Sequence, residues 1–315
     1  MNQTERLLYR LAIIALIMSL SMTSLSAYIR ISDSSVGCSP WPDCQSLNYR
    51  IDPQPGISIA STDENKGLRM LHRFVASTLG IVATLLMIVS LWYRRIIHIT
   101  PTLPLMCFTL TILLALVGLN TPDILHPVIT LMNLTGGMLT TAVAWLLVLH
   151  LQKNMGKQFN APRDWLNLAN IWLVIIAIAS GAWVSGNFAS GACESYLSCD
   201  SLSLEQLRDA FNINRELRES GGQLIFGDTQ PTIEWGHHLL TLLVCFSLIV
   251  SSLLNFASAR APVITILGIA ASLMLLGVFQ TGQPSLLSAW IHNFWSVLLL
   301  LAVVYQYFHG RTQGD

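Results

Sequence analysis

The chain repeats itself. Ala27-Tyr28-Ile29, eight residues, then Cys38-Ser-Pro-Trp-Pro-Asp-Cys44 returns as Ala182-Trp183-Val184, eight residues, then Cys193-Glu-Ser-Tyr-Leu-Ser-Cys199. After each copy comes an apolar stretch that opens with a histidine, His72 in the first and His237 in the second. Matched order and matched spacing over this length mark a tandem duplication, and function is expected where the copies agree.

The stretches between these landmarks are too apolar for a water-soluble domain. Hydrophobic residues make up 53% of the chain and charged ones 11%, against about 25% charged in ordinary soluble domains. Runs long enough to cross a hydrocarbon core of about 30 Å fall at 8–30, 67–92, 103–121, 127–150, 166–188, 232–256, 262–281 and 286–308. The expected fold is therefore an all-α membrane protein with eight transmembrane helices, four per copy. An even number of spans sends both copies into and out of the same side, as parallel repeats about an axis along the membrane normal. Each copy is expected to form a four-helix bundle, 1–151 and 166–315, joined by a cytoplasmic linker at 152–165 that carries Asn154, Gly156, Asn160 and Pro162. Within the second long loop, Ser203-Leu-Glu-Gln206 reads as a capping box. Leu204, Leu207, Phe211 and Leu217 follow at helical spacing up to Gly221-Gly222, as a helix on the bilayer surface or over the bundle mouth.

Charge sets the orientation. With both termini cytoplasmic, Arg94, Arg95 and Arg260 lie in short inner loops and most acidic residues lie outside, as the positive-inside rule asks. The apolar start is long and has no small-residue cleavage site, so it reads as a retained helix. The location expected is a bacterial inner membrane, with the cysteine-bearing loops in the periplasm. In that oxidising compartment the two C-x5-C pairs read as short-loop disulfides. Paired zinc half-sites would need loop histidines, and neither loop has one. Nucleic acid is not expected as a partner; the lipid membrane is.

Ionisable groups inside spans cost about 3 kcal/mol each and need a reason to be there. His72, His237 and His292 all lie five to seven residues into spans that start at the outer face, which gives them a common depth of about 8–10 Å at 1.5 Å per residue. His237 and His292 belong to one copy. Opposed across an apolar slot they suit the axial pair of a planar iron porphyrin, with Gly236 and Asn293 beside them leaving room for the macrocycle or a hydrogen bond to it. The alternative is that each histidine bonds a neighbouring helix. His238 is expected to face a propionate or water, and His126 to be interfacial. In the first copy the position matching His292 holds Asn133, and an amide is a poor iron ligand beside imidazole.

These features together resemble the haem A synthase family of membrane haem-modifying oxidases. The matching residues are Cys-Ser-Pro-Trp-Pro-Asp-Cys at 38–44, His72-Arg73 followed by Ala76-Ser-Thr-Leu-Gly80, the segment from Pro127 to Gly136-Gly137, and Ile291-His292-Asn293. The resemblance implies oxidation of a haem O methyl group to a formyl, giving haem A for terminal oxidases. It implies haem b between His237 and His292, and the substrate haem O at His72 as the catalytic histidine. It also implies disulfides Cys38–Cys44 and Cys193–Cys199 close to the pockets. Haem O synthase, oxidase subunits or a second copy of the chain are the protein partners it suggests. Two positions depart from the family: its second N-terminal histidine falls at Asn133, and its N-terminal glutamate at Arg69, while Glu234 holds that place in the second copy. A catalytically lapsed haem b-binding assembly protein is the rival function. A small-solute transporter on parallel repeats is a third, disfavoured because no span has a Gly/Pro-broken centre.

Overall fold

In lipid every backbone N–H and C=O has to be satisfied within its own segment, which leaves the helix as the only structure such apolar runs can adopt. The computed structural model describes residues 3–33, 49–51, 57–59, 66–94, 101–119, 126–154, 165–193, 195–196, 199, 204–220, 223–225, 229–257, 259–279 and 285–309. Eight of its helices are long and apolar enough to span a membrane. They are α1 (Gln3–Asp33), α2 (Lys66–Trp92), α3 (Thr102–Leu119), α4 (Pro127–Asn154), α5 (Trp165–Gly186), α7 (Gln230–Asn255), α8 (Arg260–Phe279) and α9 (Leu286–His309); a short α6 (Leu204–Ala210) lies between α5 and α7. Pro104, Pro127, Pro231 and Pro262 each stand in the first turn of a span, where the missing N–H would have had no helical partner anyway.

Both sets of four spans pack in the same cyclic order. In the first, α1 and α3 each pack on α2 and α4; in the second, α5 and α8 each pack on α7 and α9. The halves meet where α4 packs on α5 and α9, and where α1 packs on α9. Helix α4 is accordingly the most enclosed, with 61% of its apolar window buried against 33% or less for the other spans. One apolar cluster, including Met138, Val174, Ile178, Leu248, Ile266, Val297 and Leu300, runs from α4 through the second set. Another, including Leu8, Ala12, Leu79, Leu86 and Leu147, fills the first. Phe74, Leu253 and Phe279 are each at least 70% exposed, a surface suited to lipid rather than water.

Beyond the spans lie two hairpins of three-residue strands, which the all-helical expectation did not include. Strands β1 (Tyr49–Ile51) and β2 (Ile57–Ile59) come from the first long loop, and β3 (Arg218–Ser220) and β4 (Gln223–Ile225) from the second. They form one antiparallel sheet in the order β1-β2-β4-β3, with Ser58 opposite Gln223 at the centre. Each copy thus contributes one hairpin. Cys38, Cys44 and most of the 152–165 linker lie outside the described residues.

Candidate functional site

Helices α5 and α7 run antiparallel, and three polar pairs fix their register. Ser251 Oγ donates to Asn167 Oδ1 at 2.8 Å, Ser247 Oγ to Asn170 Oδ1 at 2.6 Å, and His237 Nδ1 lies 2.7 Å from Ser180 Oγ. As α5 advances by ten residues from Asn170 to Ser180, α7 recedes by ten from Ser247 to His237, so one register serves all three. Interhelical bonds of this kind contribute about 0.6–2 kcal/mol each in a membrane. Their larger effect is directional, because they stop α7 from rotating His237 off α5.

The ring of His237 is held on two sides. Ser180 Oγ lies 2.9 Å from the Ala177 carbonyl and 2.7 Å from Nδ1 of His237; with its one proton on the carbonyl, its oxygen accepts from Nδ1–H. That leaves the Nε2 lone pair for another partner. Gly181 lies against the ring, and a Cβ there would stand 3.2 Å from Cε1 of His237.

His292 stands six residues into α9 and His237 seven residues into α7, a common depth of about 10 Å from the helix ends. His292 Nδ1 is buried with no hydrogen-bond partner among the described residues. One anchored imidazole and one unsatisfied imidazole at the same depth fit a pair of axial iron ligands. His72 lies six residues into α2, and Asn133 six residues into α4. The first half therefore has one histidine and one amide at the depth where the second half has two histidines.

The disulfide end of the second half carries a cover. Cys193 and Cys199 are bonded, and both sulfurs lie within 3.5 Å of the Pro231 carbonyl. Glu234, only 3% exposed, accepts the backbone N–H of Gly191 at 2.7 Å and of Cys193 at 2.6 Å. The Tyr196 ring stacks on His238 with centroids 4.1 Å apart, and its hydroxyl bonds Thr241 at 2.7 Å. Burial pushes the Tyr196 phenol up from its ordinary value, with the Thr241 bond pulling the other way, so the hydroxyl stays protonated. Gly191, Cys193, Tyr196 and Cys199 are thereby tied to the start of α7, the part that carries His237. In the first half Arg69, 4% exposed, replaces Glu234. A guanidinium at that position cannot accept backbone N–H groups as the Glu234 carboxylate does.

Several expectations need correction. The helix in the second loop ends at Ala210 instead of running on through Leu217. Trp183 Nε1 donates to the Ala210 carbonyl, and Phe211 turns onto Gly236, where a Cβ would meet its Cζ at 2.9 Å. Gly236 thus makes room for Phe211 rather than for a macrocycle. Asn293 Nδ2 donates to Ala289 O of its own helix at 2.9 Å. His238 is 6% exposed, under Tyr196 and 3.9 Å from Glu234, and does not face water. His126 pairs with Glu216 at 3.2 Å with its side chain partly exposed, which accords with the interfacial expectation. Sequence reasoning missed Ser180, Gly181 and Tyr196 altogether. The signal available was a break in the duplication, since Ser180-Gly181 aligns with Leu25-Ser26 ahead of the shared Ala-aromatic-aliphatic triplet.

Comparison with known proteins bears on this arrangement. Residues 9–304 match the family model described as cytochrome oxidase assembly protein. A protein of Shewanella oneidensis named heme A synthase is 27% identical over 292 residues, covering 84% of this chain and 82% of that protein.

Proposed function

Given that the chain belongs to the haem A synthase family of cytochrome oxidase assembly proteins, we propose that it oxidises the haem O methyl group to a formyl. An oxygen atom then replaces two methyl hydrogens, and the product is haem A for a terminal oxidase. The observation that carries this reading is the pair His237 and His292 at one depth in one set of helices, with Nδ1 of His237 held by Ser180 and Nε2 left for another partner. A bound iron porphyrin supplies the redox chemistry, which no side chain here can.

The chain's own residues hold, orient and shelter. His237 and His292 bind haem b as neutral imidazoles. His72 binds the substrate haem in the first half. Glu234, Tyr196 and the Cys193–Cys199 loop keep water from the mouth of the second half, which sustains a low local dielectric around its ligands. The location that follows is an inner membrane with the disulfide loops in the periplasm, because a short disulfide persists where thiols are oxidised.

A second reading has its own observation. Asn133 occupies the depth of the missing ligand and Arg69 that of the missing glutamate, which favours a relative that binds haem b and has lost turnover. Supplying the solubilised protein with haem O, a reductant and dioxygen separates the two. Accumulation of a formyl-bearing haem by mass and pyridine-haemochrome spectrum supports the enzyme; haem b alone with haem O unchanged supports the lapsed relative.

A further inference from the structure

We infer that Ser180 is a positioning residue for His237, fixing its tautomer and strengthening it as an iron ligand; this rests on the reading that His237 ligates haem b. Serines inside membrane helices commonly bond a carbonyl of their own helix, and Ser180 does so to Ala177. The further contact to His237 Nδ1 at 2.7 Å reaches another helix. With the hydroxyl proton on the Ala177 carbonyl, the serine oxygen accepts and Nδ1 carries the imidazole proton, which is the tautomer this inference assigns to His237. A ligating histidine whose second nitrogen donates to an oxygen is oriented and made more basic toward the metal. The bare backbone of Gly181 supports the ring from the side, and the Asn167 and Asn170 pairs keep the two helices in register.

His292 Nδ1 has no partner among the described residues, so Ser180 is the only oxygen tuning the axial pair from the protein side among those residues. In the first copy the aligned position is Leu25, which has nothing to accept the proton of His72. The two halves thus differ at this position: one carries a serine that can orient its histidine, the other a leucine that cannot.

The test uses the full-length protein carrying its haem, with Ser180→Ala and Ser180→Thr compared by redox titration and by haem retention against a competing apo-haem acceptor. Loss of the acceptor makes His237 a weaker donor to ferric iron. In Ser180→Ala the midpoint potential should move upward and haem affinity fall about 10–100-fold, as for other residues that support a metal ligand. Ser180→Thr, which keeps the hydroxyl, should hold both near wild type even if the alanine variant assembles poorly. Wild-type potential and retention in Ser180→Ala would overturn the inference, and so would an equal loss in Ser180→Thr, since the hydroxyl would then not be what matters. His237→Ala runs alongside. If it leaves the haem spectrum unchanged, the haem b assignment itself fails, whatever Ser180 does.

Discussion

A single histidine in a membrane helix says little, and the second half of this protein is informative because its histidines differ in how they are held. His237 has one nitrogen satisfied by Ser180 and its flank set by Gly181, while His292 has a buried nitrogen without a partner among the described residues. Two neutral imidazoles on one iron give a low-spin centre. Replacing either His237 or His292 with Ala should abolish that spectrum, and His292→Met should shift it; an unchanged reduced absorption band in both single variants would remove the pair as ligands. Gly181 offers a finer probe. A methyl there stands 3.2 Å from the His237 ring, so Gly181→Ala should cost about 1–3 kcal/mol through forced repacking and perturb the haem band. Gly268→Ala, with nothing within 4 Å of the new methyl, should leave thermal stability equal or slightly higher and the spectrum untouched.

At the scale of elements, the loop after α5 depends on α7. Glu234→Ala would strand the Gly191 and Cys193 N–H groups that its carboxylate now accepts, at about 1–3 kcal/mol for each buried donor left unpaired. Amide hydrogen exchange at 191–193 should quicken while the middle of α7 stays protected; unchanged exchange would show that the clamp holds nothing. Cys193→Ser should cost less, about 2 kcal/mol, because the ring closed by the disulfide is small, and peptide mapping of oxidised protein should find Cys38–Cys44 as well as Cys193–Cys199. The eight spans were legible in the sequence, since runs near twenty apolar residues leave lipid one structural option. Their ends shifted by a few residues, as with 262–281 against Arg260–Phe279, because loops and not hydropathy set where a helix stops. The common depth of His72, His237 and His292 was legible too, by counting residues from the span starts. What was not legible depends on partners distant in sequence. Glu234 binds loop backbone some forty residues away, Phe211 leaves its helix to cover Gly236, and Tyr196 takes His238 out of play. None of these contacts has a periodicity.

The whole molecule joins two sets of four spans with the same packing order that differ where chemistry would occur. Trp145 of α4 donates to Leu301 O of α9, and Arg30 of α1 donates to the Ser185 carbonyl at the end of α5, so the halves are locked together at both mid-span and the disulfide end. Against that shared frame, Asn133 in place of the His292 counterpart predicts an iron in the first half with one strong ligand. Reconstituted with haem O, the wild type should bind a high-spin haem that depends on His72, and Asn133→His should convert it to low-spin, imidazole being the stronger-field ligand. If only the variant gains a second haem, the first half is a lapsed site. The most direct measurement of the account as a whole is the haem content of the purified full-length protein, extracted and resolved by chromatography and mass. The account predicts haem b, retained through His237 and His292, together with haem O or haem A. Protein purified without any haem, and unable to take it up, would contradict it.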